Sequence, residues 1–145
     1  MVKGFEEVVR ELEKYDVSVD PKVTQTIADV IDRELRDLAS KDMLTLEGVQ
    51  KYFRKVYQKV WCLREPWRSV SALIEQMAEK NRLVVSSEVR LELSKLYSSL
   101  TADTLFAAGA FVVLTRGSKR NPITLDDVEL VCKNFLLMPK PTWLC

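Results

Sequence analysis

The sequence predicts an all-α protein made of six helices in two similar halves. Three observations predict it. Four Gly and five Pro in 145 residues leave little material for a loop-rich or β-rich fold. Apolar residues recur at steps of three, four and seven through most of the chain, which places them on single helical faces. One order of elements also runs through the chain twice: short helix, extended connector, longer helix, loop, helix.

The first half covers residues 1–62. Gly4 to Tyr15 reads as a short helix with Phe5, Val8, Val9 and Leu12 on one face. Asp16-Val17-Ser18-Val19 is an extended connector. Asp20-Pro21 supplies an N-cap residue and a proline at the first helical position. Val23, Ile27, Val30, Ile31, Leu35 and Leu38 then form a stripe that ends near Ser40. After Lys41-Asp42-Met43, Thr45 caps a third helix that extends to about Trp61.

The second half covers residues 63–137 and is followed by a Pro-interrupted, non-helical tail, 138–145. Pro66 marks the start of a helix with Val70, Leu73, Ile74 and Met77 on its apolar face. Asn81 to Val85 is the second extended connector. Ser86 or Ser87 caps the longest helix, with Glu88 at the positive end of its dipole. Its stripe is Val89, Leu93, Leu96, Leu100, Ala107, Phe111 and Leu114, and Thr104 fills the one gap. Thirty helical residues span about 45 Å. From Leu105 to Leu114 the helix is apolar nearly all round, which predicts burial on more than one side. Gly117 suits a helix end and Pro122 cannot continue a helix. Thr124 caps the last helix, and Asp127 stands three residues on as the return partner of a capping box.

The two halves match in their joints. Val19-Asp20-Pro21-Lys22-Val23 parallels Val85-Ser86-Ser87-Glu88-Val89, an offset of 66, and Leu44-Thr45-Leu46-Glu47-Gly48-Val49 parallels Ile123-Thr124-Leu125-Asp126-Asp127-Val128, an offset of 79. The first central helix is therefore shorter by up to 13 residues.

The stretch from Val84 to Leu130 resembles the histone fold, in which a long central helix lies between two short ones. The residues that carry the resemblance are Val84-Val85-Ser86-Ser87-Glu88-Val89-Arg90-Leu91-Glu92-Leu93 and Arg120-Asn121-Pro122-Ile123-Thr124-Leu125-Asp126-Asp127-Val128-Glu129-Leu130. Extra residues around Thr115–Lys119, and Pro122 in place of Thr, depart from the family pattern. The resemblance implies a structural clamp between Arg120 and Asp127. In the first half Lys41 and Gly48 stand at those places. It also implies two tandem histone-fold-like units clasped as an intramolecular pseudo-dimer, as in doublet histones. In such a clasp the first loop of one unit lies beside the second loop of the other. Lys22 then meets Arg116, Lys119 and Arg120, while Lys80 and Arg82 meet Lys41. In DNA-binding members of the family these paired loops grip phosphates, by counterion release and by exposed backbone N–H groups.

Two functions follow as expectations. One is a histone-like protein of chromatin or nucleoid that contacts the phosphates of double-stranded DNA without base readout. The alternative is a histone-fold interaction module of a larger transcription or signalling assembly, without DNA binding. It would self-associate or hold a protein partner through Leu105–Leu114 and the Trp143 tail. The net charge of +1 favours the second, whereas the loop cations favour the first. Charge is uneven along the chain: −5 over residues 1–50, +4 over 51–80 and +2 over 81–145. Lys51, Arg54, Lys55, Lys59, Arg64 and Arg68 alternate with Tyr52, Tyr57, Trp61 and Trp67. This pattern suits stacking on single-stranded bases, but the aromatic spacing fits a helix packing face better, with a protein interface as the third option.

Catalysis is not expected. Histidine is absent, which removes the commonest general base and zinc ligand. Cys62, Cys132 and Cys145 lack metal-site spacing, no glycine-rich phosphate loop is present, and no cofactor is implied. Without a signal peptide or an expected membrane span, the chain reads as intracellular, in the nucleoid or nucleus if it binds DNA.

Overall fold

The computed structural model describes residues 5–56, 65–117 and 121–134, with the backbone alone at 55, 56 and 132–134. Among these residues six helices and two short strands follow one another: α1 (Glu6–Glu13), β1 (Ser18–Val19), α2 (Pro21–Ser40), α3 (Leu46–Val56), α4 (Arg68–Lys80), α5 (Ser87–Arg116), β2 (Pro122–Ile123) and α6 (Leu125–Asn134). The fold is mostly helical, as the sequence predicts.

The helices begin where side chains satisfy free backbone amides. The Asp20 carboxylate accepts from the Lys22 amide at 2.9 Å, and Pro21 follows at the first helical position. Ser86 Oγ accepts from the Val89 amide at 3.3 Å and opens α5, which runs 30 residues to Gly117 at φ +81°. Thr45 Oγ1 accepts from the Gly48 amide at 3.0 Å. Its counterpart Thr124 Oγ1 accepts from the Asp127 amide at 3.4 Å, and Asp127 returns the contact by accepting from the Thr124 amide at 2.9 Å. α4 begins at Arg68 rather than at Pro66 because Trp67 is extended (φ −70°, ψ 140°) and donates its amide to Ser98 Oγ. α3 is described as far as Val56, and the expected extension to Trp61 lies outside the described residues.

Helix ends repeat as well as helix starts. α1 stops with Asp16 at φ +58°, where the Asp16 amide donates to Glu13 O and the Val17 amide to Leu12 O. α4 stops with Arg82 at φ +55°, where the Arg82 amide donates to Glu79 O and the Leu83 amide to Ala78 O. Each residue of the second set is offset by 66 from its counterpart in the first. Both joints are the two-bond left-handed helix stop.

The halves interlock. α1 and α3 pack on α5, and α4 and α6 pack on α2 as well as on α5. The short helices of the first half therefore rest on the long helix of the second, and those of the second half pack chiefly on α5 and also reach α2. One apolar core runs through both halves, with Ile27, Ile31 and Leu35 of α2 and Leu93, Leu100 and Leu105 of α5 among its fully buried side chains. A buried polar contact joins the long helices, where the Tyr97 hydroxyl donates to Glu34 Oε2 at 2.6 Å. The only sheet among the described residues crosses between the halves too. β1 pairs with β2 in parallel, Ser18 opposite Pro122 and Val19 opposite Ile123, and the Asp20 amide donates to Ile123 O at 3.0 Å.

α5 is long and apolar enough to cross a membrane, but 56% of its most apolar window is buried inside the fold. Burial on more than one side is expected over Leu105–Leu114; Leu105, Ala108, Gly109 and Val112 are buried, whereas Ala110, Val113 and Leu114 are exposed. The cause is the length of α1, which ends at Glu13 and covers one side of this segment only.

Candidate nucleic-acid interface

The β1–β2 bridge builds one end of the molecule. It brings the first turn of α2, which carries exposed Lys22, against the segment between α5 and α6. Three groups shape this segment. Gly117 turns the chain at positive φ. Asn121 Nδ2 donates to Arg116 O at 3.0 Å and to Gly117 O at 3.1 Å, satisfying carbonyls that the helix leaves free. Arg116 then reaches forward to the start of α6.

The clamp on Asp127 is made by Arg116. Its two terminal nitrogens donate to Oδ1 at 3.0 Å and Oδ2 at 2.7 Å, and one donates also to Pro122 O at 3.1 Å. The resemblance assigned this role to Arg120, which lies outside the described residues together with Ser118 and Lys119. Counting back from Asp127 along the family pattern reaches Arg120. The structure uses the last arginine of the helix itself, and the loop between them is correspondingly longer. Burial raises the proton affinity of the Asp127 carboxyl, but hydrogen bonds from Arg116 and from the Thr124 amide and hydroxyl outweigh it. The net effect holds the group below its ordinary value. The hydrogen bond to Asp127 in turn raises the pKa of Arg116.

Electrostatically this end is mixed. Arg116 is committed to Asp127, and Asp20 and Asp126 stand beside Lys22 and Asp127 in sequence. Among the described residues, Lys22 is the cation of this end that enters no ion pair, and Lys119 and Arg120 lie outside the described residues.

The second predicted loop pair is not joined in the same way. Among the described residues no backbone hydrogen bond links 43–45 to 83–86. Lys41 pairs with Asp37 at 3.1 Å on the surface of α2. Lys80 lies with Asp29 and Asp32 around a cleft between α2 and α4, and Asn81 Nδ2 donates to Asp32 at 2.7 Å. Arg82 is exposed on its left-handed turn.

In the basic–aromatic stretch, Tyr52 is half-buried and meets Phe53 edge-on at 5.5 Å, and Trp67 packs against the core. These rings serve packing. Tyr57, Lys59, Trp61 and Arg64, and the side chain of Lys55, lie outside the described residues. Among the described residues no three Cys, Asp or Glu side chains are grouped so as to hold a metal ion. No family model matches the chain, and neither does any curated protein or solved structure.

Proposed function

We propose that the chain is a tandem histone-fold-like protein whose two units clasp within one molecule and contact duplex DNA through phosphates at the paired-loop end. The observation that carries this reading is the parallel bridge between β1 and β2. It joins the first loop of the first half to the second loop of the second half, the pairing that a histone-like clasp requires. The repeated caps at Thr45 and Thr124 support a common plan for the two units, as do the helix stops at Asp16 and Arg82, although the same stop also closes α2 at Asp42.

The contact involves few charges. Lys22, Lys119 and Arg120 supply about three phosphate neutralisations, so the logarithm of affinity falls with the logarithm of salt at a slope near −3. Binding then weakens about 40-fold between 50 and 200 mM salt. The test is titration of a labelled random duplex of about 40 base pairs with wild type and with a Lys22→Ala, Lys119→Ala, Arg120→Ala variant. Salt-sensitive binding that is lost in the variant supports the reading, and absence of binding at low salt ends it.

A second reading is favoured by a specific observation: Arg116 and Lys41 are held by Asp127 and Asp37. On this reading the clasp is a protein–protein interaction module, and its loops serve structure alone. A complex with a protein partner that survives nuclease treatment, in a chain that ignores duplex DNA, selects it.

A further inference from the structure

Away from the paired-loop cations, α1 and the last turns of α5 enclose an apolar groove of about 700 Å³. Its floor is Phe106, Gly109, Ala110 and Val113, and Glu11 is the one charged residue that lines it. Its rim carries Tyr15, 70% exposed, and Leu114, 85% exposed. The cleft that α4 leaves on α2 is lined by Gln25, Asp29, Asp32, Gln76 and Lys80, side chains suited to water. Packing a short helix on a long one therefore does not by itself require an apolar lining. Apolar surface of this extent, concave and contiguous, calls for an occupant.

We propose that the groove is the seat of a second copy of this chain, whose α5 crosses the first antiparallel about a two-fold axis at Ala110. Spacing is the first argument. Phe106, Ala110 and Leu114 follow one another at steps of four, with Val113 beside them, and form one outward stripe on α5. A two-fold at Ala110 sets equidistant positions against each other. Phe106 then meets Leu114 of the second copy, and Ala110 meets Ala110. The smallest side chain thus lies where the two helix axes come closest, and the larger ones flank it.

Shape and charge are the second argument. Leu114 projects from the same face that holds the recess, and Phe106, which it would meet, is half-buried on the groove floor. A face that carries both a recess and a side chain to fill it is self-complementary, as an isologous contact requires. Asp103 is the one charge where the stripe continues toward the start of α5, and the two-fold sets it against Gly117. Like charges on the stripe therefore do not meet. Area sets the strength. The stripe and the rim expose roughly 500 Å² per copy, about 1,000 Å² for the pair, which is the low end for a specific interface. The dimer is accordingly weak and reversible, with a Kd of roughly 10–200 μM. It stands whether or not the paired-loop end contacts DNA.

Sedimentation equilibrium of the full chain, without DNA and under reducing conditions, tests the proposal from about 5 to 500 μM. The expected result is a monomer–dimer equilibrium that Leu114→Lys weakens at least tenfold. Val84→Lys should leave it within twofold, because Val84, 95% exposed, lies beyond the opposite end of α5. A chain that stays monomeric at 500 μM overturns the proposal and leaves the groove to a different occupant. A dimer that both variants weaken equally overturns it too. A cross-link supplies the second measurement, and it decides alone if Leu114→Lys does not melt cooperatively. In a Cys62→Ser, Cys132→Ser, Cys145→Ser background, Ala110→Cys places one thiol per chain on the axis. Helices whose axes approach to about 8 Å bring two such thiols within disulfide reach. Oxidation with glutathione disulfide at 100 μM should join the chains at least tenfold faster than with Val84→Cys. Equal rates overturn the proposal.

Discussion

Removing one buried hydroxyl should loosen the contact between the two halves. Tyr97 on α5 is fully buried, and its hydroxyl donates to Glu34 on α2, itself 5% exposed, at 2.6 Å. Tyr97→Phe keeps the ring and its edge-on contact with Phe53 at 5.3 Å, so the substitution isolates the hydrogen bond. A hydrogen bond to a charged acceptor contributes about 1.5–3 kcal/mol net, and an acceptor left short of a donor in the interior cannot recover it from water. For a domain of this size that loss lowers Tm by roughly 5–10 °C. The assay is urea unfolding at neutral pH with wild type, Tyr97→Phe, Glu34→Gln and the double variant. The expected coupling between the two sites is about 1–2 kcal/mol. If Tyr97→Phe lies within about 0.5 kcal/mol of wild type, the Tyr97–Glu34 pair does not hold α2 to α5.

Three further outcomes follow from particular contacts. Gly48→Ala should destabilise the protein by about 1–3 kcal/mol in urea unfolding, despite the better helix propensity of Ala. The reason is that a Cβ there would lie 2.5 Å from the carbonyl oxygen of Met43. Asp127→Asn should cost about 1–2 kcal/mol at pH 7 through the weakened cap on α6. Because the folded-state pKa of Asp127 is depressed, its contribution is fully present above about pH 4 and is lost as pH falls through the folded value. The gap between the two chains should therefore close in acid melts. Burial first, and then the neighbouring Glu34 carboxylate, push the Tyr52 hydroxyl pKa up. The folded chain keeps that proton where the unfolded chain releases it, so stability falls as pH rises beyond about 10. Tyr52→Phe should flatten that alkaline decline in Tm.

The helices were legible wherever a local rule set their ends. Asp20-Pro21, Ser86 and Thr124 each carry a side chain suited to the amides that follow, and α2, α5 and α6 begin where those residues predict. The clamp partner was not legible in the same way. Arg116 and Asp127 are eleven residues apart, and their meeting depends on the path of the loop between them, which local propensity does not encode. Asn121 is the one local cue, since it ties the loop back to the end of α5. The Glu34–Tyr97 bond spans 63 positions and no short-range pattern announces it. Glu34 is a charged residue on the inner side of α2, 5% exposed. What brings it inside is its contact with Tyr97 of α5, a tertiary fact.

Unequal central helices decide where the molecule has surface to offer. α2 has 20 residues and α5 has 30, a difference of about 15 Å. Two equal helices crossed at their middles would bury each other's flanks evenly and leave their ends to the short helices. Here the short helices of the first half are α1, eight residues, and α3, and α1 alone meets the far end of α5. It covers Gly109 so closely that a Cβ there would stand 3.0 Å from Leu12, yet it ends before Ala110, Val113 and Leu114 are covered. The excess length of α5 thus becomes an apolar ledge, while its last residue, Arg116, reaches to Asp127 and secures α6. The bare groove and the committed arginine have one cause: the end of α5 is used to hold the second half together rather than to meet its counterpart in the first. A variant that shortens α5 by two turns, by deleting residues 107–113, would sever the Arg116–Asp127 contact and remove the groove together. Loss of cooperative unfolding in that chain is the expected result. A chain that still folds with α6 in place would show that the overhang is dispensable and that the two halves clasp without it.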